Sequence, residues 1–238
     1  MEEAFIRTAY LIGTEAVEKL IRGRVILFGV GGVGSYCAEA LARAGVGTIC
    51  LVDPDKVTPS NLNRQLVALH STIGKNKAEV MRERILDINP GADVTAIPLF
   101  YLPENADKID LSRYDVVIDA VDTVSAKIEL AVRAKAAGIP IISAMGTGNK
   151  LNPERMELAD LSDTEMCPLA RVMRRELRAR GIHHMRVVYS KEAPVSFRGE
   201  ETAADAERHV PGSISFVPSC AGLLLASEAV QILLQKSC

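Results

Sequence analysis

The feature that most constrains this chain is a glycine-rich turn that directly follows a continuous apolar segment. The apolar segment is residues 24–30, the turn reads G-V-G-G-V-G at residues 29–34, and an alanine-rich stretch follows at 35–44. A continuous apolar run that ends in glycines is typical of a strand buried in a parallel sheet. Glycines let the backbone approach a phosphate, and the next helix supplies N–H donors at its N-terminus. The turn therefore predicts a nucleotide-binding unit contacted by Gly29, Gly31, Gly32 and Gly34.

Strand and helix patterns alternate through residue 144. Strands are predicted at 24–30, 48–52, 93–98, 114–120 and 139–144, and helices at 14–20, 35–44, 76–88 and 124–137. This alternation is the signature of an α/β fold with a Rossmann-like, doubly wound and mostly parallel sheet. We expect a helical arm at 1–23 and a nucleotide-binding core at 24–150, within one domain that spans residues 1–238.

The pattern changes after Gly146. A basic helix is predicted at 165–180 and a strand at 185–189, followed by a polar, mobile loop near residues 192–211. The apolar segment 220–234 predicts a last helix that packs back onto the same sheet. The C-terminal part, 151–238, is too small to fold independently, so we expect it to extend the first domain.

Composition excludes several classes of protein. The net charge is -2, apolar residues make up 48% of the chain, and the acidic N-terminus does not resemble a signal peptide. The longest apolar runs, such as 25–30 and 221–226, are too short to span a bilayer, so we expect no membrane association and a cytoplasmic location. The five cysteines form no C-x-x-C pair, which argues against a disulfide framework and against structural zinc.

Polar residues in fixed order follow the glycine turn. Asp53 lies 24 residues after Gly29, at the end of the second strand, where a carboxylate accepts hydrogen bonds from ribose hydroxyls. Alone, this supports NAD, FAD or an adenosine nucleotide about equally. Arg64 and Lys77 add two cations suited to a triphosphate. Asp122 follows another buried strand, where it can hold Mg²⁺ against phosphates. A dehydrogenase needs none of these three.

The motifs together resemble those of the ubiquitin-activating-enzyme-like adenylyltransferases, which include the activators of the molybdopterin-synthase and thiamine sulfur carriers. The matching segments are the glycine turn, D-x-D-x-V-x-x-S-N-L-x-R-Q at 53–65, G-K-N-K at 74–77 and D-x-x-D at 119–122. The resemblance implies ATP and Mg²⁺ as cofactors and a homodimer. It implies that Asp53 and Asp55 lie at the nucleotide and that Asp122 binds the metal. It also implies that Asn61, Arg64 and Lys77 bind phosphates, and that Arg7 reaches the ATP of the partner subunit.

Further segments separate branches of this superfamily. The sulfur-carrier activators usually have two C-x-x-C pairs, and this chain has none. The remainder resembles the tRNA threonylcarbamoyladenosine dehydratases, which cyclise the threonylcarbamoyl group on the adenosine at position 37, beside the anticodon, with ATP. The segments that carry this resemblance are R-T-A-Y-L-I-G at 7–13, S-A-M-G-T-G-N-K-L-N-P at 143–153, C-P-L-A-R-V-M-R at 167–174, V-V-Y-S at 187–190 and G-S-I-S-F at 212–216. The resemblance implies modified tRNA as the substrate and raises sulfur-transfer proteins as further partners.

The basic helix gives this reading independent support. Between residues 171 and 191 there are seven Lys or Arg residues and two histidines against one acid. Four of the cations recur at three- or four-residue spacing and share one helical face that suits RNA phosphates: Arg171, Arg174, Arg175 and Arg178. The alternative is a solvated helix, or one that pairs with acids of the dimer partner. His183 and His184 are read as turn residues rather than as catalysts.

Three functional alternatives remain open on sequence alone. The chain adenylates the C-terminus of a sulfur-carrier protein, or it is an NAD-dependent oxidoreductase, or it binds a nucleotide without catalysis. Within the dehydratase reading, attack on the α-phosphate to give an adenylate is favoured over an acyl phosphate. Ring closure is intramolecular and requires no protein thiol, so Cys167 and Cys220 are weak candidates for catalysis.

Overall fold

The computed structural model describes residues 3–196 and 211–235. In this part of the chain the strands are β1 (Arg24–Phe28), β2 (Thr48–Val52), β3 (Asp93–Ile97), β4 (Val116–Asp119), β5 (Ile141–Ala144), β6 (Met156–Asp160) and β7 (Arg186–Ser190). The α-helices are α1 (Ile6–Ile12), α2 (Thr14–Arg22), α3 (Gly34–Ala44), α4 (Lys77–Ile88), α5 (Val124–Ala137), α6 (Pro168–Arg178) and α7 (Phe216–Gln235).

The strands form one sheet in the order β3-β2-β1-β4-β5-β7-β6. All neighbouring pairs are parallel except β6 and β7, which are antiparallel. The chain winds outward from β1 through β2 to β3, and then resumes at β4 on the other side of β1. This reversal makes the β1–β4 boundary a topological switch point, where α/β sheets bind ligands at the carboxyl ends of their strands. The predicted doubly wound, mostly parallel α/β fold is confirmed.

Helices cover both faces of the sheet because both faces are apolar. Along β1, Val25 and Leu27 join the core beneath α3, α4 and α7, whereas Ile26 and Phe28 join the core beneath α5. The alternation follows from the two-residue period of a strand. A third cluster packs α6 against α5 and β7.

The last helix packs on the same sheet, as expected. It is longer than predicted, running from Phe216 to Gln235, and it contacts α3 and the strands β4, β5, β6 and β7. Gly222 allows this close approach, since a Cβ there would lie 2.3 Å from the carbonyl oxygen of Val33. By length and composition alone α7 is apolar enough to cross a membrane, although the uninterrupted apolar runs in the sequence are short. Its packing against the sheet accounts for that apolar character.

The other elements follow the predicted boundaries to within three residues, with two additions. The N-terminal arm contains a separate short helix, α1, and strand β6 was not predicted. The observed helix α6 is shorter than the predicted 165–180, because Pro168 occupies its first turn. Most of the predicted loop near 192–211 lies outside the described residues, which include 192–196 and Pro211 at its two ends.

Candidate functional site

A cavity of about 600 Å³ opens at the switch point. The ends of β1, β2, β4 and β5 contribute to its wall, together with the segments that follow β3 and precede α7. Eight of the predicted site residues line it: Gly29, Gly31, Gly32, Asp53, Asp55, Arg64, Lys77 and, from the loop after β4, Asp122. The volume is in the range of small-molecule sites.

Two glycines allow the turn after β1 to pack against its neighbours. Gly29 has φ +87°, and a Cβ there would lie 2.6 Å from the carbonyl oxygen of Ala120. A Cβ on Gly34 would lie 1.8 Å from the carbonyl oxygen of Gly29, so the first turn of α3 closes directly onto the loop. Gly34 does not line the cavity and acts through this packing. The N-terminus of α3 thereby faces the cavity, as an anion site requires.

Asp53 fixes the loop through a buried carboxylate. Its carboxylate accepts hydrogen bonds from the backbone N–H groups of Val30, at 2.6 Å, and Asp55, at 2.9 Å. The side chain is buried, and burial raises the pKa of the Asp53 carboxyl above its ordinary value, although both hydrogen bonds favour ionisation. Its position at the end of β2 is the one predicted for a ribose-binding acid.

The two predicted phosphate-binding cations differ in their surroundings. Lys77, the first residue of α4, is buried, and its Nζ lies 2.8 Å from Asp55 Oδ2. Arg64 is partly buried and donates to the carbonyl oxygen of Ser60 and to Asn63 Oδ1, two bonds that lie in an exposed part of the structure. Both side chains line the cavity. A phosphate bound there would therefore meet one buried cation and one cation that is more accessible to solvent.

Asp122 and Asp119 have different environments although they are three residues apart. Asp122 lines the cavity, and its nearest polar contact is Thr123 Oγ1 at 3.5 Å. Asp119 is fully buried, pairs with Lys127 Nζ at 2.9 Å and accepts hydrogen bonds from Ser143 and from the N–H of Val121. Lys127 also donates to the carbonyl oxygen of Val121, at 3.0 Å. The buried group thus positions the loop that presents Asp122.

A second part of the cavity wall is assembled around Asn149, which has φ +56°. Its backbone N–H donates to the carbonyl oxygen of Gly212, its Oδ1 accepts from the N–H of Gly212, and its carbonyl oxygen accepts from the N–H of Val195. These bonds hold the cavity-lining segments 145–148 and 211–213 side by side. The motif at 143–153 was recognised in the sequence, but this role of Asn149 was not.

Two predicted site residues lie elsewhere. Asn61 is buried outside the cavity wall, and its Oδ1 accepts a hydrogen bond from the N–H of Thr58, at 3.1 Å, which closes the turn before Arg64. Arg7 is exposed on α1 and does not line the cavity of its own chain. Phosphate binding by Asn61 and action of Arg7 on a partner's nucleotide stay predictions.

Comparison with known proteins gives the relationship of the whole chain. The model of the ThiF family matches residues 6–238. The chain belongs to the ThiF family. Within that family, the tRNA threonylcarbamoyladenosine dehydratase of Bacillus subtilis is 43% identical over 99% of this chain and 96% of the relative. The resemblance stated from the sequence is thereby confirmed.

One solved structure and one further sequence relative agree with this placement. The crystal structure of Escherichia coli tRNA N6-threonylcarbamoyladenosine dehydratase in complex with AMP matches with a TM-score of 0.88 and 34% identity, over 97% of this chain and 94% of that one. The Escherichia coli sulfur carrier protein ThiS adenylyltransferase is 36% identical, but over only 59% of this chain and 56% of the relative. The likeness to the dehydratases is therefore the more extensive one.

In this ThiF-family chain the basic helix α6 does not present its four arginines equally. Arg171 and Arg178 are exposed, and Arg175 pairs with the adjacent Glu176 at 2.9 Å. Arg174 is partly buried and donates to the carbonyl and the hydroxyl of Thr164, so it fixes the turn before the helix. The exposed pair is the part of the predicted RNA-binding face with the freest side chains.

Four cysteines fall within the described residues, and all are free thiols. Cys37 and Cys50 lie in the core, and burial raises the pKa of each. Cys167 is buried at the start of α6. Its Sγ would lie 3.9 Å from a Cβ on Gly146, a residue that lines the cavity, so the thiol lies just behind the cavity wall. Cys220 contacts the carbonyl oxygen of Pro153 at 3.6 Å, and burial raises its pKa. None of the four lines the cavity.

Proposed function

We propose that this protein is an ATP-dependent tRNA threonylcarbamoyladenosine dehydratase that activates the substrate carboxylate and lets it cyclise. The observation that carries this proposal is the cavity, where a glycine turn, the buried acid Asp53, two cations and Asp122 converge at the switch point. The proposal is supported by the near full-length likeness to a dehydratase of that name. It also agrees with a related structure that contains AMP.

The chemistry begins with a carboxylate, which is a poor electrophile because its leaving group would be oxide. A carboxylate oxygen attacks the α-phosphorus of ATP, the bond from that phosphorus to the bridging oxygen breaks, and pyrophosphate leaves. Arg64 and Lys77 stabilise the negative charge that builds on the phosphates. Asp53 accepts hydrogen bonds from the ribose hydroxyls, and the backbone N–H groups of the glycine turn bind the phosphates of ATP. The product is an acyl adenylate.

Ring closure follows from the same position. The carbamoyl group attacks the activated carbonyl carbon and loses a proton, and AMP leaves with one former carboxylate oxygen. The substrate has thus lost the elements of water. Because the nucleophile and the electrophile belong to one molecule, their effective concentration is high. This accounts for a site whose described cysteines all lie outside the cavity wall.

Mg²⁺ fits the donors that the cavity provides. Among the described residues no three His, Cys, Asp or Glu side chains form a cluster, so this part of the chain shows no protein cage for a metal, and Asp122 is one of three acids that line the cavity. Magnesium is commonly bound by one or two carboxylates together with substrate phosphates, and it would supply further neutralisation of phosphate charge. Asp122, with few polar contacts of its own, is the residue we assign to it.

We assign tRNA binding to the exposed face of α6 and place the enzyme in the cytoplasm. Changing Arg171 and Arg178 together to Ala should weaken tRNA binding and reduce the slope of log affinity against log salt by about one per lost phosphate contact. A double variant with the same charge change at two exposed cations elsewhere, Arg22 and Lys108, is the control. Equal salt slopes for the two double variants would refute this assignment. Sulfur-transfer proteins stay a predicted class of partner.

We also propose a homodimer in which Arg7 completes the partner's site. Arg7 is exposed and lies outside its own cavity, and its neighbours Tyr10 and Leu11 on α1 are 79% and 85% exposed. Exposed apolar side chains of this size favour an interface. If Arg7 acts in trans, mixing inactive Arg7→Ala and Asp122→Ala proteins restores one site in each mixed dimer, about a quarter of wild-type activity. If it acts in its own chain, the mixture stays inactive.

The dehydratase proposal is tested directly by incubating the protein with ATP, Mg²⁺ and tRNA that carries threonylcarbamoyladenosine, and weighing the digested nucleoside. We expect an ATP-dependent loss of one water, formation of AMP and pyrophosphate, and loss of turnover in Asp122→Ala. Asp87→Ala, at an exposed site on α4, should remain active. If the products were ADP and phosphate, the intermediate would be an acyl phosphate rather than an adenylate. An unchanged nucleoside with a folded, ATP-binding protein would refute the dehydratase and favour a sulfur-carrier protein as substrate.

A further inference from the structure

Two buried side-chain polar atoms in the described part of the chain have no hydrogen-bond partner, and both belong to residues that line the cavity. They are Gln65 Oε1 and the Tyr101 hydroxyl. Buried polar groups in folded proteins are nearly always paired, and an unpaired one lowers stability. Gln65 ends the motif at 53–65, yet none of the roles assigned above uses it. Its surroundings indicate what it does.

The backbone around Gln65 is tied to the glycine turn. The N–H of Gln65 donates to the carbonyl oxygen of Asn61 at 2.9 Å, and the N–H of the next residue, Leu66, donates to Ser35 Oγ at 3.1 Å. The Ser35 hydroxyl in turn donates to the carbonyl oxygen of Gly31 at 2.6 Å. Gln65 is 8% exposed. The side chain is therefore held in a fixed position beside the turn.

The amide nitrogen of Gln65 points to the open side of that turn. If Gly31 carried a Cβ, that atom would lie 3.6 Å from Gln65 Nε2. Apart from the residues adjacent in the chain, no other heavy atom of the described residues would lie within 4 Å of it. The donor end of the amide therefore lies over the surface on which a phosphate would rest, while the acceptor end is buried and unpaired. This orientation lowers the stability of the free protein and is explained if a bound anion requires the donor.

We propose that Gln65 is a nucleotide-binding residue whose side-chain amide donates a hydrogen bond to a phosphate oxygen of the bound nucleotide. This inference rests on the proposed use of ATP. Arg64 beside it supplies charge from a position that is more accessible to solvent and is already bonded to Ser60 and Asn63. Gln65 supplies a directional donor that is buried and fixed before the ligand arrives, so less conformational entropy is lost when it binds.

The proposal makes two predictions that separate binding from stability. Gln65→Met keeps the length of the side chain and removes both amide atoms, so the unpaired oxygen disappears. Without nucleotide, the variant should therefore melt at or above the wild-type temperature. Its affinity for ATP should fall about tenfold, because a charge-assisted hydrogen bond is lost. Its affinity for adenosine, which has no phosphate, should change by less than about twofold.

The experiment measures ATP and adenosine affinity by titration calorimetry, and melting without nucleotide, for the full-length protein. Gln65→Glu places a carboxylate against the phosphate, so it should lower the affinity for ATP more than Gln65→Met does. It should leave the affinity for adenosine unchanged. Gln231→Met makes the same chemical change at an exposed position on α7 and should alter neither affinity.

An ATP affinity of Gln65→Met equal to that of the wild type would overturn the inference. So would an equal loss of affinity for ATP and adenosine, since that would indicate a general distortion of the cavity rather than loss of a phosphate contact. A wild-type protein that binds adenosine but gains nothing from the phosphates would likewise refute it. Wild-type protein that binds neither ligand would refute the proposed use of ATP itself, which is a separate and recognisable result.

Discussion

The buried ion pair beneath the cavity makes a sharp prediction about stability. Asp119 and Lys127 are both fully buried, and their charged atoms lie 2.9 Å apart. Changing Lys127 to Met fills a similar volume but leaves the Asp119 carboxylate buried without its counter-charge. Removing one partner of a buried pair typically lowers the free energy of unfolding by about 3–5 kcal/mol. Hydrogen bonds from Ser143 and from the N–H of Val121 remain, so we expect a value near the lower end, about 3 kcal/mol.

The pair can be separated from ordinary packing by a double-mutant cycle. Asp119→Asn alone leaves a buried ammonium, and Lys127→Met alone leaves a buried carboxylate, whereas the double variant buries no charge. We therefore expect the double variant to be more stable than the sum of the two single effects implies, by about 2 kcal/mol or more. Because Lys127 also holds the carbonyl oxygen of Val121, the single variant should bind ATP more weakly through displacement of Asp122.

Urea denaturation measures these differences from the transition midpoint, provided the slope is unchanged. If Lys127→Met lowered the free energy of unfolding by less than about 1 kcal/mol, water or a local rearrangement would have to stabilise the Asp119 carboxylate. We expect neither, because both side chains are fully buried. Strict additivity in the cycle would show that the two side chains do not interact. Either result would refute the reasoning from burial and distance.

Three further predictions concern the cavity. Burial raises the pKa of Asp53, so this acid protonates at a higher pH than an ordinary aspartate does, and adenosine, whose ribose hydroxyls we expect it to bind, should bind more weakly as the pH is lowered; Asp53→Asn should remove the dependence. Gly34→Ala and Gly47→Ala each bring a Cβ to 1.8 Å from a carbonyl oxygen, so urea denaturation should show that both variants are less stable than the wild type. In calorimetric titrations, only Gly34→Ala should lose affinity for ATP, because only Gly34 packs against the glycine turn. Asn149→Gly keeps the left-handed backbone and the backbone bond to Gly212 but loses the bond that the side-chain Oδ1 accepts, so it should slow tRNA turnover while leaving ATP affinity unchanged; Asn149→Asp should retain turnover.

The fold was predictable because its central strands are continuous apolar runs separated by helices with clear ends. Strand β2 and helix α5 have the predicted bounds, since proline, glycine and polar residues delimit both. Strand β6 was missed because its sequence, M-E-L-A-D, is only partly buried and mixes acids with apolar residues. Its position is set by antiparallel pairing with β7 rather than by its own pattern.

The candidate site was predictable where function depends on order along the chain. The glycine turn, Asp53, Arg64, Lys77 and Asp122 are recognised by spacing, and the structure brings them to one cavity. Asn61 shares that spacing and closes the turn before Arg64 from outside the cavity wall, and its predicted contact with phosphate stays a prediction. Spacing identifies residues near the ligand, but it does not distinguish a side chain that faces the cavity from one that shapes the backbone beside it.

Residues that act across the fold carry no such signal. Tyr101 reaches the cavity from the segment after β3, packs on Phe28 with ring centroids 4.9 Å apart, and belongs to no recognised motif. Lys127 appears in the sequence as an ordinary helical lysine until β4 places Asp119 beside it. The wall built on Asn149 needs contacts between residues more than sixty positions apart.

These observations divide the cavity into two halves with different sequence requirements. The half that faces the glycine turn depends on local geometry: close backbone approach, a fixed acid and cations at set distances along the chain. The other half is made by segments 145–148 and 211–213, which Asn149 joins through its backbone N–H and its side-chain Oδ1, both bonded to the backbone of Gly212, so the joint does not depend on the side chains of segment 211–213. Because the two halves are built from different segments, substitutions in 145–148 and 211–213 should change which carboxylate the cavity admits while leaving nucleotide binding at the glycine turn intact.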